Sequence, residues 1–205
     1  MSALYLYPVW LRAWHWLNAV LFLTSLVTGV AMHFSLGWLI PFQTAVPLHN
    51  ASGVLLTVSW VAFLIGNLIG GNGKHYLINL RTLPRDLFVQ MRYYGYGIFV
   101  NAPHPFHVSA DHKLNALQTL SYIGVMYGLM PLLIVSGWAF LLSSQLPETL
   151  FGIGTVWIVA VVHLLGSWML LLFLLVHVYI ITTGETPTTN LKAMLTGWHR
   201  ETGDG

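Results

Sequence analysis

The stretch VWIVAVVHLLGSWMLLLFLLVHVYIITT, residues 156–183, decides how the rest of the sequence is interpreted. It contains no Asp, Glu, Lys or Arg, yet it carries two histidines, His163 and His177. The hydrocarbon core of a bilayer, about 30 Å thick, requires roughly 20 consecutive apolar residues in an α-helix. The stretch therefore predicts a membrane-spanning helix with two ionisable side chains, which are costly at membrane depth and mark functional sites.

Three further stretches, residues 14–34, 49–69 and 114–142, are also apolar and long enough to span a membrane. Pro131 predicts a kink in the last of these. Only 7% of the residues are charged, whereas soluble domains carry about 25%. We therefore predict an all-α fold, an integral membrane four-helix bundle with short amphipathic surface helices, as a single domain over residues 1–205.

The distribution of basic residues predicts how the chain is oriented in the membrane. All eight Lys and Arg residues precede the first helix, lie between the second and third, or follow the fourth, while residues 35–48 and 143–155 contain none. Basic residues are enriched on the cytoplasmic side. Both termini and the loop 70–113 are therefore expected inside, with amphipathic helices at residues 84–94 and in the tail, residues 186–199.

The composition also excludes several classes of protein. The chain has no cysteine, which rules out disulfides, Cys-ligated zinc, iron–sulfur clusters and covalently attached haem. A formal charge of +2 does not indicate a nucleic-acid-binding protein. Ten histidines against eight Lys and Arg is an unusual ratio, and it is a first indication of a haem protein.

Four histidines lie near the ends of the predicted helices. His163 and His177 are 14 residues apart on the fourth helix, which is about 21 Å along its axis and about 40° around it. His15 lies at the inner start of the first helix and His49 at the outer start of the second. Depth therefore pairs His15 with His177 and His49 with His163. Two facing imidazoles suit a six-coordinate b haem, so we predict two haems, whereas zinc prefers about four ligands.

Neighbouring residues are compatible with a large flat ligand. Four glycines could leave room for a porphyrin or allow ordinary close packing of helices: Gly29, Gly53, Gly137 and Gly166. Arg12, one turn before His15, could bond a haem propionate or anchor the helix at the inner surface. His33 shares the face of His15 at the outer end of the first helix. It could replace His49 as a ligand or hydrogen-bond an outer propionate.

Several motifs resemble those of a known family. They are RAWHW at residues 12–16, His49 followed by Gly53, KLNALQ at residues 113–118, and HLLG at residues 163–166 with HVY at residues 177–179. In order and spacing they resemble the di-haem cytochrome b subunits of bacterial respiratory formate dehydrogenases, nickel–iron hydrogenases and thiosulfate reductases, a cytochrome b-561-like group. The tail looks most like the thiosulfate reductase branch.

The resemblance implies the same haem pairing and adds a quinone pocket at the inner haem, beside Asn115, for ubiquinone or menaquinone. Quinone chemistry needs protons there, and His112, His107 and Lys113 are the predicted carriers. Asn115 and Gln118 are the predicted hydrogen-bonding groups. Loop solvation and helix capping are the alternative roles for these five residues.

The predicted function is that of a multi-pass subunit in the bacterial inner membrane, which transfers electrons between an outer-face redox partner and the quinone pool of a respiratory chain. The expected partner is an iron–sulfur protein, a molybdoenzyme, a hydrogenase or a cytochrome c. Two alternatives remain open. One is a stand-alone di-haem oxidoreductase, such as a superoxide:quinone oxidoreductase, and the other is a scaffold that anchors haem without quinone turnover.

Apolar residues in the two outer connections predict where the partner binds. They are Trp38, Leu39, Ile40, Phe42 and Phe151. Apolar patches with little charge are typical of protein contacts, although Trp and Phe are also common at the lipid interface. In the alternative arrangement, the basic loop at residues 74–92 binds an acidic cytoplasmic subunit.

Overall fold

The computed structural model describes residues 2–106, 109, 113–184 and 186–201. Among these residues, four helical segments are long and apolar enough to cross a membrane: Val9–His33 (α1), Phe42–Ile69 (α2), Ala116–Leu141 and Thr155–Ile181. The third segment comprises α4, Ala116–Ile123, and α5, Met130–Leu141, and the fourth is α6. The predicted fold class, an all-α membrane helical bundle, is confirmed.

Two of these helices begin earlier than the sequence predicted. Helix α1 begins at Val9 rather than at residue 14, and α2 begins at Phe42 rather than at residue 49. Pro47 lies inside α2 near its start, where the loss of one backbone hydrogen bond does not end the helix. His49 therefore lies about two turns into α2, and its predicted place at the start of the helix is wrong.

The third span is interrupted where Pro131 predicted an irregularity. A π-helical turn at Gly124–Leu129 separates α4 from α5. Proline has no N–H to donate and its ring crowds the carbonyl four residues earlier, so the preceding turn widens. Within this turn the carbonyl of Met126 accepts a hydrogen bond of 2.7 Å from the indole of Trp60.

The predicted amphipathic helix in the long loop is present as α3, Leu83–Gly95. It buries Gln90 and Tyr94 and leaves Phe88 and Met91 exposed. Two short 3₁₀ helices flank it, Asn72–Tyr76 and Gly97–Val100.

The tail is only partly helical. Helix α7, Thr189–Thr196, ends at Gly197, whose φ of 89° lies in the left-handed region. The chain then forms a strand, Trp198–Glu201, which pairs antiparallel with the N-terminal strand β1, Ser2–Tyr5. The prediction of a helix through residue 199 is therefore wrong, because Gly197 ends the helix and the N-terminal strand pairs with the residues that follow.

The connection before α6 contains a small hairpin of two strands, β2, Thr149–Leu150, and β3, Ile153–Gly154. The tail strand, Trp198–Glu201, is the fourth in chain order and is called β4. The two turn residues of the hairpin, Phe151 and Gly152, both have positive φ, as the tightest hairpin turns require. The Phe151 side chain is 98% exposed.

Backbone contacts divide the chain into two compact units. The first unit consists of Met1–Ala13, Gly66–Gly124 and Phe173–Gly205, and the second consists of Trp14–Ile65 and Val125–Leu172. Whether residues 1–205 act as a single domain stays a prediction.

Polar side chains join α1 to α2 within the second unit. The indole of Trp14 donates to the Ser59 carbonyl at 2.9 Å, and the Asn18 amide donates to the Ser59 hydroxyl at 2.6 Å. Farther along, the hydroxyls of Ser25 and Ser52 are 2.7 Å apart. Such bonds are a common means of holding helices together in lipid, where the hydrophobic effect does not drive helices together.

Candidate functional site

His49 on α2 and His163 on α6 face one another in the second unit. Their ring centroids are 6.2 Å apart and the ring planes are inclined at 67°. Two metal–nitrogen bonds of about 2 Å, with roughly 1 Å from each Nε2 to its ring centroid, place two ligating imidazoles about 6 Å apart. The structure thus brings together the predicted outer pair at a separation that suits one metal ion between them.

The hydrogen bonds of His49 determine which ring nitrogen carries its proton. Its Nδ1 lies 3.0 Å from the Ser25 carbonyl and 3.0 Å from the Thr28 hydroxyl. A carbonyl can only accept, so Nδ1 carries the hydrogen and donates it. The neutral ring therefore keeps a lone pair on Nε2, the form in which histidine ligates a metal.

His163 is held in the same tautomer by a different residue. Its Nδ1 lies 2.9 Å from the Ser136 hydroxyl, which donates its own proton to the Leu132 carbonyl at 2.8 Å. The Ser136 oxygen is therefore the acceptor for the Nδ1 proton. Both rings are oriented through Nδ1, and both leave Nε2 as a potential ligand.

A cavity of about 750 Å³ is lined by both histidines. Cofactor pockets are typically about 300–1,000 Å³. A side-chain carbon at Gly29 would lie 3.3 Å from His49 Cε1, and one at Gly137 would lie 3.6 Å from His163 Cε1, so these glycines let the imidazoles lie against the helix backbone. Gly53, which also lines the cavity, would meet no described atom within 4 Å and leaves open space.

Gly166 has the packing role, one of the two roles that the sequence left open. A side-chain carbon there would lie 3.1 and 3.2 Å from methyl groups of Leu133 and Leu132. Gly166 is buried and is not part of the described cavity lining. It therefore allows close packing of α6 against α5 and does not make room for a ligand.

The cavity is almost free of charge. Residues 14–65 and 125–172 contain only one residue among Asp, Glu, Lys and Arg, namely Glu148. Of the described residues that line the cavity, only His33, His49 and His163 are ionisable. An apolar cavity with two oriented imidazoles fits a haem held by His49 and His163. The imidazole of His33 is exposed at the lining and can donate a hydrogen bond to an anionic substituent.

The predicted inner pair is divided between the two units, so its pairing stays a prediction. His15, in the second unit, lies edge-on to Trp16 with ring centroids 5.2 Å apart. His177, in the first unit, stacks on Phe173 at 5.7 Å and contacts Tyr122 at 6.2 Å. Both histidines are half-buried.

Arg12 is bonded to the tail, and neither of the two roles predicted for it is tested by this contact. Its guanidinium donates a hydrogen bond to the Leu195 carbonyl at the end of α7, which anchors the tail. Its Nε is buried and has no hydrogen-bond partner among the described residues. An unsatisfied guanidinium nitrogen fits an anionic group such as a haem propionate.

Asn115 and Gln118 form a capping box at the start of α4. Asn115 Oδ1 accepts a hydrogen bond from Gln118 N at 2.9 Å, and Gln118 Oε1 accepts one from Asn115 N at 3.1 Å. Asn115 Nδ2 donates to the Tyr94 hydroxyl at 3.1 Å. The contacts agree with the capping role that the sequence left open, and Asn115 is only 3% exposed.

Of the three predicted proton carriers, the structure describes only Lys113. Lys113 is half-buried, and burial lowers its pKa, as does the nearby charge of Lys74. His112 and His107 lie outside the described residues.

Sequence reasoning missed the residues that orient the two histidine rings. They are Ser25, Thr28 and Ser136. Thr28 and Ser136 are 1% and 5% exposed. The available signal was the presence of small polar residues in otherwise apolar spans, since such residues usually bond to a neighbouring helix or to their own backbone.

The fold and this site define a class of protein: a membrane helical bundle whose apolar cavity is lined by two histidines oriented for metal ligation is typical of membrane cytochromes. The family model described as "Prokaryotic cytochrome b561" matches residues 6–197. The chain is also similar to the Escherichia coli (strain K12) protein named "Putative cytochrome YdhU", with 36% identity over 197 residues, 96% of this chain and 75% of that protein. No solved structure matched the chain.

The chain therefore belongs to the prokaryotic cytochrome b561 family. It is a bacterial membrane cytochrome of electron transfer, and its cofactor is haem b.

Proposed function

We propose that this chain is the membrane-anchoring di-haem cytochrome b subunit of a respiratory complex in the bacterial inner membrane. It transfers electrons between a redox partner at the outer face and the quinone pool. The observation that supports this proposal most strongly is the pair of oriented imidazoles, His49 and His163, with ring centroids 6.2 Å apart at an apolar cavity.

When bound between two histidines, haem b takes up and releases single electrons with no open iron position for a substrate. His49 and His163 would hold it through Nε2. The Ser25 carbonyl and the Ser136 hydroxyl orient the two rings through Nδ1, so both imidazoles are already placed for ligation. The apolar wall of the cavity would exclude water from the bound group.

The second haem is assigned to His15 and His177 on the depth argument made from the sequence. The aromatic rings of Phe173 and Tyr122 fix the plane of the His177 imidazole. Arg12 binds a propionate through its unsatisfied Nε. Lys113 and His112 carry protons for quinone at this inner side.

The partner binds the outer connections and the adjoining first residue of α2. Trp38 is 82% exposed, Phe42 is 65% exposed and Phe151 at the hairpin tip is 98% exposed. Phe151 also has a φ of 54°, an unfavourable conformation for an aromatic residue that holds its ring out from the turn. An iron–sulfur protein, a molybdoenzyme, a hydrogenase or a cytochrome c would be a suitable partner.

Purification from the native membrane tests the proposal. The pyridine haemochrome assay should give two haems b per chain, a redox subunit should co-purify, and a quinone analogue should reoxidise the reduced haem. A chain that purifies alone and is reduced by superoxide would instead support a superoxide:quinone oxidoreductase. Haem that a quinone analogue fails to reoxidise would leave only the haem scaffold.

A further inference from the structure

Helix α3 packs against the rest of the first unit through one narrow face. This packed face consists of Leu83, Leu87, Gln90 and Tyr94, which are buried or half-buried. At about 100° per residue, these four positions lie within about 60° of one another around the helix axis. The residues between them therefore form the faces that α3 turns outward.

One outward flank of α3 is apolar. It is formed by Pro84, Phe88, Met91 and Gly95, which also lie within about 60° of one another, and it is turned about 100° from the packed face. Phe88 is 64% exposed and Met91 is 53% exposed. An exposed apolar flank is unusual at an aqueous surface and is typical of a helix that lies in the membrane interface.

Two arginines border the apolar flank. Arg85 and Arg92 are both exposed, and because seven residues separate them they lie about 20° apart around the axis and about 10 Å apart along it. The only acidic residue of α3, Asp86, lies on the opposite flank, about 100–120° from either arginine. The outward side of α3 therefore combines apolar side chains with positive charge.

Hydrogen bonds to Tyr94 determine the depth of α3. Its hydroxyl accepts a hydrogen bond from the Asn115 amide at 3.1 Å, and Asn115 caps the span that begins at Ala116. Its carbonyl accepts one from the Tyr179 hydroxyl at 3.0 Å, close to the end of the span at Ile181. Because both partners lie at the ends of membrane spans, α3 lies at the level of the lipid headgroups.

The segments on either side of α3 also expose apolar side chains. Leu77 and Leu80 before it are 80% and 77% exposed, and Phe99 after it is 74% exposed. At the end of α2, Leu68 and Ile69 are 84% and 85% exposed. A lipid surface accommodates these side chains together with the arginines, whereas an acidic protein surface would satisfy the arginines alone.

We propose that α3 binds anionic phospholipid at the surface of the bilayer. Phe88 and Met91 contact the acyl chains, and Arg85 and Arg92 bind the headgroup phosphate, which matches the forked geometry of a guanidinium. Phosphatidylglycerol fits this site better than phosphatidylcholine, because the choline cation cancels the charge of the phosphate. The site is separate from electron transfer and requires neither quinone nor a redox partner.

Gly95 offers a position for a fluorophore on the apolar flank. The sequence has no cysteine, so Gly95→Cys introduces a single thiol, and a side-chain carbon there meets no described atom within 4 Å. A nitrobenzoxadiazole group on this thiol, in haem-loaded protein in vesicles, should be quenched by nitroxide-labelled phosphatidylglycerol at a lower mole fraction than by nitroxide-labelled phosphatidylcholine. The same group on Asp86→Cys, on the opposite flank, should be quenched far less by either lipid.

Arginine variants made in the Gly95→Cys protein test the role of charge. Arg85→Gln and Arg92→Gln should each reduce the preference for phosphatidylglycerol by about 2- to 5-fold, the effect of one basic residue at an anionic surface. Lys74→Gln is the matched control, because it removes the same charge from the same connection outside α3 and should leave the preference unchanged. All three side chains are exposed, so the haem content should stay that of the wild type.

Two results would overturn the proposal. Equal quenching by the two lipids, unaffected by Arg85→Gln and Arg92→Gln, would make α3 an ordinary lipid contact with no selectivity for charge. A fluorophore on Gly95→Cys that neither lipid quenches would place this flank in water, where the arginines would be available to an acidic cytoplasmic subunit.

Discussion

Replacing Ser136 by Ala tests the outer haem site through a residue that does not touch the iron. The Ser136 hydroxyl is the acceptor for the His163 Nδ1 proton at 2.9 Å, and Ser136 is only 5% exposed, so water does not readily replace it. In Ser136→Ala the ring loses its orientation and can adopt the other tautomer, which places the proton on Nε2. Loss of such a partner weakens metal binding by about 10- to 100-fold, or roughly 1.4 to 2.8 kcal/mol.

The assay is the rate and extent of haem loss to an excess of apomyoglobin, followed by visible spectroscopy. Ser136→Ala should release one haem faster than the wild type and retain the other. Ser167→Ala is the matched control, because the Ser167 hydroxyl bonds to the His163 backbone carbonyl at 2.7 Å and not to the ring. Equal haem loss from Ser136→Ala, Ser167→Ala and the wild type would refute the orienting role of Ser136.

Three other predictions address orientation, the partner and the tail. A reporter fused after Gly205 should be active only in its cytoplasmic form, and activity of a periplasmic reporter there would reverse the assigned orientation. Trp38→Asp should reduce co-purification of the redox partner and leave the haem spectrum unchanged, since Trp38 is 82% exposed; an intact complex would place the partner elsewhere. Gly197→Ala should lower stability by roughly 1–2 kcal/mol, because its φ is 89° and the new methyl group would lie 2.6 Å from Tyr5 Cε2. Thermal unfolding should show this loss, whereas Gly95→Ala, which meets no described atom within 4 Å, should show none.

The four membrane spans could be predicted from the sequence because each is a long apolar run, a property that depends on local composition alone. The pairing of His49 with His163 could also be predicted, since the direction of each helix and the position of each histidine fix their depth. The start of α2 could not be predicted from the sequence, because proline usually ends or kinks a helix. Pro47 is tolerated in α2 because it lies near the start of the helix.

The remaining differences depend on contacts between residues that are distant in the sequence. Strand β4 forms only because Ser2–Tyr5 pairs with it, and no local pattern in residues 198–201 indicates that partner. Ser136 is 27 residues from His163, and its role depends on the rotation of α5 relative to α6. The sequence suggested both a capping and a quinone-binding role for Asn115, and only the positions of Gln118 and Tyr94 show that its side chain is already bonded.

The haem content of two histidine variants tests the central claim most directly. Pyridine haemochrome analysis of the purified protein should give two haems per chain for the wild type, one for His49→Ala and two for His33→Ala. His49 and His163 face each other at 6.2 Å, whereas His33 lies exposed at the cavity lining, and this difference is the basis of the prediction. Two haems retained in His49→Ala, with one lost in His33→Ala, would contradict the assignment of the outer haem ligands.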